Sequence, residues 1–494
     1  MTPELPPELL DPDQMGRADT AAMTGDIPGG AIPGAGIPGI ALMENAGRAV
    51  ARAVRRRFVP CRTLVLAGPG NNGGDGYVVA RRLQAAGWPV TLARLAPPRP
   101  GSDAALAAAR WRGPGAEFSE TAAARAELVI DALFGAGLSR ALDERVAAVL
   151  RAARRVVAVD VPSGLDGASG QALGFAPQAM LTVTFFRRKP GHLLLPGRVL
   201  CGELVLAEIG IPEAVLRVVG ARTFANGPAL WRLPKPAPEG HKYDRGYVTV
   251  LGGAEMTGAA RLAAAAARRI GAGMVSIAAP SPAAAAIYRA GDPGVIVTEV
   301  ALQELLADPR RGVFAAGPGL GAAAAKVALP ALIAAGKVVV ADADALTAFA
   351  DRPEGLCGAA VLTPHAGEFA RVFGPPGPDR LAAARRAAAR LGAVVVLKGA
   401  DSIIAAPDGW AAINASAPPD LATAGAGDVL AGMIAGLLAQ GMPTRDAAAA
   451  GVFLHGLAAT HVGRGLIAED LPEAIPGALA AMARRTEGWH GSLS

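Results

Sequence analysis

The feature that most constrains the fold is an alternation of short β-branched runs with Ala- and Arg-rich helical stretches, which occurs twice along the 494 residues. The first series begins at residue 62 with the runs RTLVLAG, WPVTLARL, ELVIDALFG and RRVVAVDVPSG. The second begins at residue 247 with the runs YVTVLGG, MVSIAAP, GVFAAGPGLG, KVVVADADAL, VLTP and AVVVLKGADS. Alternation of this kind is typical of α/β folds with parallel sheets, so we predict two such sheets.

The break between the two series predicts two domains. Residues 225–242, ANGPALWRLPKPAPEGHK, hold four prolines and two glycines, a composition typical of a linker. We predict a first domain over residues 1–222, a linker over 223–240 and a second domain over 241–494. The Ile-Pro-Gly repeat at residues 27–39 is interpreted as a mobile inserted loop.

Composition and charge exclude several classes of function. The net charge of +6 rests on arginines that are scattered rather than clustered, so we expect no nucleic-acid partner. Apolar runs stay below the roughly 18 residues that a membrane span requires, and the acidic N-terminus does not resemble a signal peptide. Cys61, Cys201 and Cys357 lie far apart, which fits a reducing cytoplasm.

The first cluster of candidate functional residues follows the strands of the first series. GPGNNGGDG, residues 68–76, is a glycine-rich turn that opens a helix, where free N–H groups favour an anion. Asn72, Asp131, Asp160 and Ser163 each follow a predicted strand. Each alone is more often a turn or cap residue, but the carboxyl ends of parallel strands meet at one edge, so together they predict a ligand site.

The second cluster centres on LATAGAGDVLAG, residues 421–432. A helix that begins around Gly427 would point the N–H groups of Ala426, Gly427 and Asp428 towards a phosphoryl group. Asp428 could be an ordinary first-turn acid that the helix dipole favours. Alternatively, its carboxylate could accept the proton of a hydroxyl that attacks phosphorus, and this is the interpretation we favour.

Residues 10–222 resemble the NAD(P)H-hydrate epimerase family. The motifs that carry the resemblance are, in order, LMENAG, GPGNNGGDGYVVARRL, DALFGAGLSR, VDVPSGLDG, LTVTFFRRKPG and CGELVLAEIGIP. The resemblance implies a Rossmann-like three-layer sandwich that holds K⁺ on Asn72, Asp131 and Ser163. Oxygen ligands of these types suit a hard cation.

The same resemblance implies contacts with the hydrated nicotinamide nucleotide. The matching residues are Asn71, Asn72, Gly73, Gly74, Asp75, Gly135, Ala136, Gly137, Leu138, Ser139, Arg140 and Asp160. Epimerisation of a carbinol next to a ring nitrogen requires a positioned proton donor or acceptor. We predict that Asp160 is this acid/base and keep Lys189 as the competing candidate.

Residues 225–494 resemble the ADP/ATP-dependent NAD(P)H-hydrate dehydratase family, which is itself similar to ribokinase-like kinases. The motifs GPGLG, DADAL, TPHAGEF, LKGAD and GAGDVLAG carry this resemblance. It implies substrate contacts by Ala260, Gly319, His365 and Asp428. It also implies adenine-nucleotide contacts by Lys398, Gly399, Ala400, Asp401, Ser402 and Gly427.

Three departures from the dehydratase pattern affect this comparison. TAGAGD replaces the family's TGGTGD or TGGSGD, so Ala426 lacks a hydroxyl group, and Ala366 stands in place of a proline. HKYDRG also replaces the shorter HKG. The backbone N–H donors of the loop are not altered by these changes, so we expect the dehydratase activity to remain. Phosphoryl transfer implies Mg²⁺.

Both resemblances together imply a bifunctional isomerase and lyase of nicotinamide nucleotide repair. It would epimerise the R and S forms of hydrated NADH and NADPH and dehydrate the S form with ADP, giving AMP and phosphate. The alternative is a ribokinase-like small-molecule kinase with a non-catalytic N-terminal binding module. We expect a cytoplasmic homo-oligomer.

Overall fold

The computed structural model describes residues 5–27, 30–31, 34 and 36–490, and the chain divides into two compact units, Met1–Phe224 and Ala225–Ser494. The predicted loop at 27–39 lies partly outside the described residues, so its mobility stays a prediction. The predicted domain limits also stay a prediction. Within the predicted linker, Trp231 is buried among side chains of the second unit.

The first unit alternates strands and helices as the β-branched runs predict. Its strands, up to the boundary of the unit, are β1 (Glu8–Leu9), β2 (Asp26–Ile27), β3 (Gly30–Ala31), β4 (Thr63–Ala67), β5 (Val90–Arg94), β6 (Leu128–Ala132), β7 (Val156–Val159), β8 (Leu181–Phe185), β9 (Glu203–Ala207) and β10 (Thr223–Ala225). Its helices are α1 (Pro12–Thr24), α2 (Gly39–Arg57), α3 (Asn71–Ala85), α4 (Asp103–Ala109), α5 (Glu120–Arg125), α6 (Glu144–Arg151), α7 (Gly197–Leu200) and α8 (Leu216–Val219).

Six of these strands form one parallel sheet in the order β5-β4-β6-β7-β8-β9. The chain leaves β4 towards β5 on one side and later returns to β6 on the other side, so the strand order reverses between β4 and β6. Helices α2 and α3 bury apolar residues such as Val50 and Val79 against the sheet. In open parallel sheets, a ligand crevice forms at such a reversal, outside the carboxyl ends of the strands.

The second unit repeats this organisation with a larger sheet. Its strands are β11 (Tyr247–Leu251), β12 (Met274–Ala278), β13 (Ile296–Thr298), β14 (Val313–Ala316), β15 (Val338–Ala341), β16 (Val361–Leu362), β17 (Val394–Leu397), β18 (Ser402–Ala405) and β19 (Ala411–Asn414). Its helices are α9 (Thr257–Arg269), α10 (Pro282–Arg289), α11 (Leu302–Ala307), α12 (Ala322–Ala334), α13 (Asp344–Thr347), α14 (Ala366–Phe373), α15 (Arg380–Leu391), α16 (Ala426–Ala439), α17 (Thr444–Val462) and α18 (Asp470–His490).

The strand order in the second unit is β19-β18-β17-β16-β15-β14-β11-β12-β13. Strands β11 to β17 pair in parallel, and β17, β18 and β19 form an antiparallel meander. The order reverses between β11 and β14, which again predicts a crevice at their carboxyl ends.

Close packing of α16 against α9 fixes the helix that carries the GAGD loop. A Cβ atom on Gly432 would lie 2.0 Å from the carbonyl oxygen of Ala263, so only glycine allows the two backbones to approach this closely. The contact is part of an Ala-rich core in which Val429, Met433 and Ile434 are fully buried. Small side chains therefore place the start of α16 with little freedom relative to the sheet.

Candidate active sites

The glycine-rich loop of the first unit lies where the strand order reverses. A Cβ atom on Gly68 would lie 1.9 Å from the carbonyl oxygen of Leu133, just after β6, and one on Gly73 would lie 1.9 Å from the carbonyl oxygen of Gly68. These close approaches require glycine, and they draw the loops after β4 and β6 together. Helix α3 begins at Asn71 without a side-chain cap, which leaves its first N–H groups directed to the crevice.

Three of the predicted residues meet beside this loop. The Ser163 hydroxyl donates to Asp131 Oδ1 at 2.6 Å, and the Ser163 N–H donates to Oδ2 at 2.8 Å. A Cβ atom on Gly135 would lie 3.6 Å from Asn72 Oδ1. Asp131 and Ser163 are fully buried, and the Asn72 Nδ2 atom is buried without a hydrogen-bond partner among the described residues. Burial raises the pKa of Asp131, and the hydrogen bonds from Ser163 oppose that rise.

Asp160 lies in a closed ion pair with Lys189. Lys189 Nζ is 2.6 Å from Asp160 Oδ1, Thr184 Oγ1 donates to the same oxygen at 3.0 Å, and the Ala136 N–H donates to Oδ2 at 3.0 Å. Burial opposes ionisation of Asp160, but Lys189 and the hydrogen bonds outweigh it and lower its pKa to about 2. The carboxylate is therefore ionised throughout the physiological pH range.

A buried histidine holds the backbone of Asp160 in an uncommon conformation. Asp160 has φ of 68°, in the left-handed region that L-residues other than Asn and Asp seldom adopt. His192 Nδ1 accepts from the Lys189 N–H at 2.9 Å, so Nε2 carries the proton and donates to the Asp160 carbonyl at 2.9 Å. Burial, with Lys189 second, lowers the pKa of His192 to about 4, which keeps this neutral tautomer in place.

Two further carboxyl groups lie near this ion pair. Burial and the charges of Asp160 and Asp19 raise the pKa of Asp75 well above its usual value. Burial also raises the pKa of Asp19 to about 6, although Lys189 opposes that rise. Asp19 lies on α1, and no feature of the sequence indicated that it approaches Asp160.

The predicted loop after β6 is only partly engaged in these contacts. Gly135 and Ala136 contact Asp160, and the Leu138 N–H donates to the Gly135 carbonyl at 3.2 Å in a tight turn. Gly137, Ser139 and Arg140 are exposed at the mouth of the crevice. The loop thus has an anchored start and an exposed end.

In the second unit, three glycine-containing turns pack backbone against backbone at the strand reversal. A Cβ atom on Gly253, after β11, would lie 1.8 Å from the carbonyl oxygen of Gly319, and Gly319 itself has φ of +62°. A Cβ atom on Gly317, after β14, would lie 1.8 Å from the carbonyl oxygen of Asp342. These contacts bring the ends of β11, β14 and β15 together.

Lys398 and Asp342 form the charged centre of the second site. Lys398 Nζ lies 2.7 Å from Asp342 Oδ1 and 3.9 Å from Glu368 Oε2. A Cβ atom on Gly427 would lie 3.1 Å from the same Nζ atom, so the GAGD loop lies directly over Lys398. Asp342 and Glu368 lie in the DADAL and TPHAGEF motifs but were not predicted as site residues, although their positions after two parallel strands were a usable signal.

The pKa of Asp428 in this site rises substantially. Helix α16 begins at Ala426 after Gly425, which has φ of 87°. Burial, followed by the negative charge of Asp342, raises the pKa of Asp428 to about 6, and Lys398 only partly opposes the rise. Asp428 can therefore both accept and release a proton near neutral pH.

His365 has a structural contact that the sequence did not predict. Its Nδ1 accepts from the N–H groups of Gly367 and Glu368 at 3.0 and 3.3 Å, and Glu368 Oε2 accepts from the His365 N–H at 2.8 Å. This reciprocal arrangement caps α14. The imidazole is half exposed, and its Nε2 atom lies 3.5 Å from Glu368 Oε1.

The remaining predicted contact residues have mixed surroundings. Ser402 Oγ accepts from the Gly399 N–H at 3.1 Å and donates to its carbonyl, which closes the turn around Ala400. Asp401 is almost fully buried and pairs with Arg380. Ala260 lies on the buried face of α9. The structure therefore places Lys398, Gly427 and Asp428 together, whereas the side chains of Asp401 and Ala260 are turned into the protein.

Two features are absent from the part of the chain that the structure describes. Over residues 5–27, 30–31, 34 and 36–490, three or more His, Cys, Asp or Glu side chains do not gather in a geometry able to hold a metal ion. In that same part of the chain, no helix has the length and apolar character needed to cross a membrane.

Comparisons with known proteins match both halves of the chain. Residues 39–191 match the family described as YjeF-related protein N-terminus, and residues 248–476 match the NAD(P)H-hydrate dehydratase family. The bifunctional NAD(P)H-hydrate repair enzyme Nnr of Moorella thermoacetica is 38% identical, over 95% of this chain and 97% of that protein. The corresponding Escherichia coli enzyme is 37% identical over 87% of each.

Among solved structures, the ADP/ATP-dependent NAD(P)H-hydrate dehydratase of Bacillus subtilis, co-crystallised with ATP and Mg²⁺, is 29% identical. The match covers 50% of this chain and 94% of the Bacillus subtilis chain, with a TM-score of 0.45.

Proposed function

Because this chain belongs to the family of bifunctional NAD(P)H-hydrate repair enzymes, we propose that its two units carry out two successive repair reactions. The first unit epimerises the R and S forms of hydrated NADH and NADPH. The second dehydrates the S form at the expense of ADP and gives AMP and phosphate. The observation that carries the proposal is that one chain holds both family matches, each over a unit whose polar side chains gather at its strand reversal.

In the first unit, the substrate would lie over the loops 71–75 and 135–140. The free N–H groups at the start of α3 suit the nucleotide's phosphates. Asn72, Asp131 and Ser163 would hold K⁺, and their amide, carboxylate and hydroxyl oxygens fit a hard cation. The Asn72 Nδ2 atom is buried without a partner among the described residues, and as a donor it would suit an acceptor oxygen of the nucleotide rather than the cation. The cation would supply fixed positive charge beside the nucleotide.

The ion pair of Asp160 and Lys189 would perform the proton transfer. Loss and return of the ring hydroxyl need a proton donor, and the transient ring cation needs a nearby negative charge. Asp160, with a pKa of about 2, is suited to the second task. Lys189 Nζ, 2.6 Å away, donates a hydrogen bond to Asp160 Oδ1. The prediction from the sequence was that Asp160 is the acid/base; we propose instead that the pair acts as one unit, with the competing candidate Lys189 as donor and Asp160 as its counter-charge.

In the second unit, Asp428 would accept the proton of the hydrate's hydroxyl as its oxygen attacks the β-phosphorus of ADP, and AMP leaves. Elimination of the resulting phosphate ester, with loss of a ring proton, restores the dihydronicotinamide. Gly427 and the first N–H groups of α16 would face the transferred phosphoryl group, and Lys398 would contact its negative charge. His365 would contact the substrate through its half-exposed imidazole.

Mg²⁺ fits the second site through its carboxylates. Asp342, Glu368 and Asp344 all raise the pKa of Asp428, which indicates an excess of negative charge that a cation would relieve. Asp342 and Glu368, together with the ADP phosphates, would hold the ion, since Mg²⁺ is usually bound by one or two carboxylates and substrate oxygens. When bound, it would neutralise charge on the phosphates.

We further propose that the protein is a cytoplasmic homo-oligomer without nucleic-acid or membrane partners. Cys61, Cys201 and Cys357 are all free, which suits a reducing compartment. Size-exclusion chromatography with light scattering would measure the oligomeric state, and a monomeric mass would contradict the proposal.

To test the main proposal, the purified protein is mixed with ADP and with both the R and S hydrates of NADH. The absorbance of the dihydronicotinamide measures how much NADH is recovered. Complete recovery is expected, because epimerisation feeds the S-specific step. Recovery of the S fraction alone would mean an inactive first unit. Absence of recovery with ADP and with ATP, together with phosphorylation of a small alcohol, would instead support the kinase alternative.

A further inference from the structure

One buried histidine of the second unit is not used by the proposed mechanism. His455 lies in the middle of α17 and is 6% exposed. Its Nε2 atom has no hydrogen-bond partner among the described residues, while its ring is hydrogen-bonded to the backbone of Ala426. The contact with Ala426 is therefore made by Nδ1. Burial lowers the pKa of His455 to about 4, the hydrogen bond with the Ala426 backbone opposes this shift, and the charge of Lys398 adds to it, so the imidazole is neutral.

Ala426 is the first residue of α16 and directly precedes Gly427 and Asp428. The imidazole thus contacts, from inside the protein, the backbone of the turn whose N–H groups would face the phosphoryl group. A shift of Ala426 would move both the N–H donors and the carboxylate of Asp428, since all three belong to one helical turn.

Helix α17 gives His455 a rigid support. A Cβ atom on Gly451 would lie 2.7 Å from Ile434 Cγ1 of α16, and one on Gly456 would lie 3.2 Å from the Cα atom of Ala417. The helix is therefore packed closely against both α16 and the segment that leads into the GAGD loop. A side chain that projects from such a support is held in place with little freedom.

The unpaired Nε2 atom argues that His455 is more than a filler of the core. A buried polar atom without a partner lowers stability, and an apolar ring would occupy the same space without that cost. What an apolar ring lacks is the Nδ1 contact with Ala426. The histidine is therefore explained by the position of the loop rather than by packing.

We propose that His455 is a positioning residue for phosphoryl transfer, which holds the turn Ala426–Asp428 so that its N–H donors and the Asp428 carboxylate meet ADP and the substrate hydroxyl together. This inference rests on the proposed dehydratase function and adds to it a residue from a helix outside the loop motifs. It makes no contact with substrate itself. Asn retains a donor close to the position of Nδ1, whereas Gln carries its amide nearer to that of Nε2, so the two variants separate the roles.

The test compares His455→Phe, His455→Asn and His455→Gln in the full chain. We expect His455→Phe to lower kcat/KM for ADP about 10- to 100-fold, because small misplacement of catalytic groups is costly, without lowering the melting temperature. His455→Asn should recover most of this loss and His455→Gln should not. His461→Phe, an exposed position on the same helix, is the matched control and should leave both reactions unchanged.

Three outcomes would overturn the inference: wild-type kinetics in His455→Phe, equal loss in the Asn and Phe variants, or a loss of activity that only follows a fall in melting temperature. If His455→Phe does not fold, the Asn and Gln pair decides alone. Failure of the proposed function is distinguishable, because the wild-type protein would then consume neither ADP nor ATP with the S hydrate. Epimerase activity of the same sample reports that the first unit is intact.

Discussion

The two units each place a lysine and an aspartate at the carboxyl ends of parallel strands, but the pKa of the proposed functional carboxyl group shifts in opposite directions. In the first unit, Lys189 pairs with Asp160 itself and lowers the pKa of that carboxyl group to about 2. In the second, Lys398 pairs with Asp342, and the pKa of the neighbouring Asp428 rises to about 6. The partner of the lysine decides the difference.

This contrast fits the two proposed reactions. A carboxylate that must stabilise a cationic ring has to stay ionised, which a closed ion pair ensures. A carboxylate that must take a proton from a hydroxyl has to accept it readily, and a pKa near the working pH is best suited to that task. A third carboxylate, Asp342, therefore has a function in the second unit. It forms the ion pair with Lys398, so Asp428 is not held in such a pair and can titrate.

The largest effect should follow Asp428→Asn. Loss of the base is expected to lower kcat of the dehydratase about 10³- to 10⁴-fold, since general base catalysis contributes on that scale. ADP-dependent recovery of NADH from the S hydrate measures it. Asp420→Asn, an exposed acid shortly before the same loop, is the matched control and should behave as wild type. Retention of wild-type kcat by Asp428→Asn would disprove the assignment.

Lys189→Met should remove most epimerase activity, with an expected loss of about 10²- to 10³-fold. The variant removes the proposed proton donor and leaves Asp160 without its counter-charge. Interconversion of R and S hydrates, resolved chromatographically, is the measurement, and dehydratase activity of the same chain is the internal control. Asp160→Asn should also be impaired; a full epimerisation rate in that variant would show that Asp160 has no part in the reaction.

Much of both sites could be predicted from the sequence because parallel sheets gather the residues that follow their strands. Asn72, Asp131, Ser163 and Asp160 meet beside one crevice for this reason, and so do Lys398 and Gly427. The resemblance to the two enzyme families is confirmed by relatives that match nearly the whole chain, and the two-unit α/β fold is confirmed as well.

The charge states could not be predicted, because they depend on which side chains are neighbours across the sheet. Thr184 reaches Asp160 only because β8 lies next to β7, and Asp19 approaches the same group from α1. His192 and the positive φ of Asp160 are likewise visible only in three dimensions. Whether a lysine pairs with one aspartate or another depends on differences of a few ångströms, which cannot be read from sequence spacing.

A smaller effect is expected on the K⁺ requirement, which should change for the epimerase reaction and not for the dehydratase reaction. Ser163→Ala removes a proposed oxygen ligand, so K⁺ should bind more weakly. The K⁺ concentration that half-saturates the epimerase should rise about 10- to 100-fold. The dehydratase should be unaffected by this variant. Titration of epimerase rate with KCl, at ionic strength held constant with a tetramethylammonium salt, is the measurement. An epimerase that works equally well without K⁺ would contradict the metal assignment.

The pH profiles of the two reactions should diverge. As pH falls through about 6, Asp428 becomes protonated and cannot accept a proton, so dehydratase kcat should fall about tenfold between pH 7.5 and pH 5. Asp160 stays ionised over this range, so its contribution to the epimerase should not change. Initial rates, corrected for spontaneous epimerisation, are the measurement. A dehydratase profile that is flat down to pH 5 would contradict the raised pKa.

The smallest effect concerns His365, whose capping contact can be separated from its proposed contact with substrate. His365→Ala removes the side chain that accepts from Gly367 and Glu368, and loss of a helix N-cap costs about 1 kcal/mol, so the melting temperature should fall by a few degrees. Asn is a good N-cap and should preserve stability, but it is too short to replace Nε2. A rise in KM for the S hydrate that is shared by both variants would therefore report substrate contact. If His365→Asn instead keeps a wild-type KM, the histidine in TPHAGEF only caps α14, and substrate recognition in the second unit rests on residues such as Lys398 and the GAGD turn.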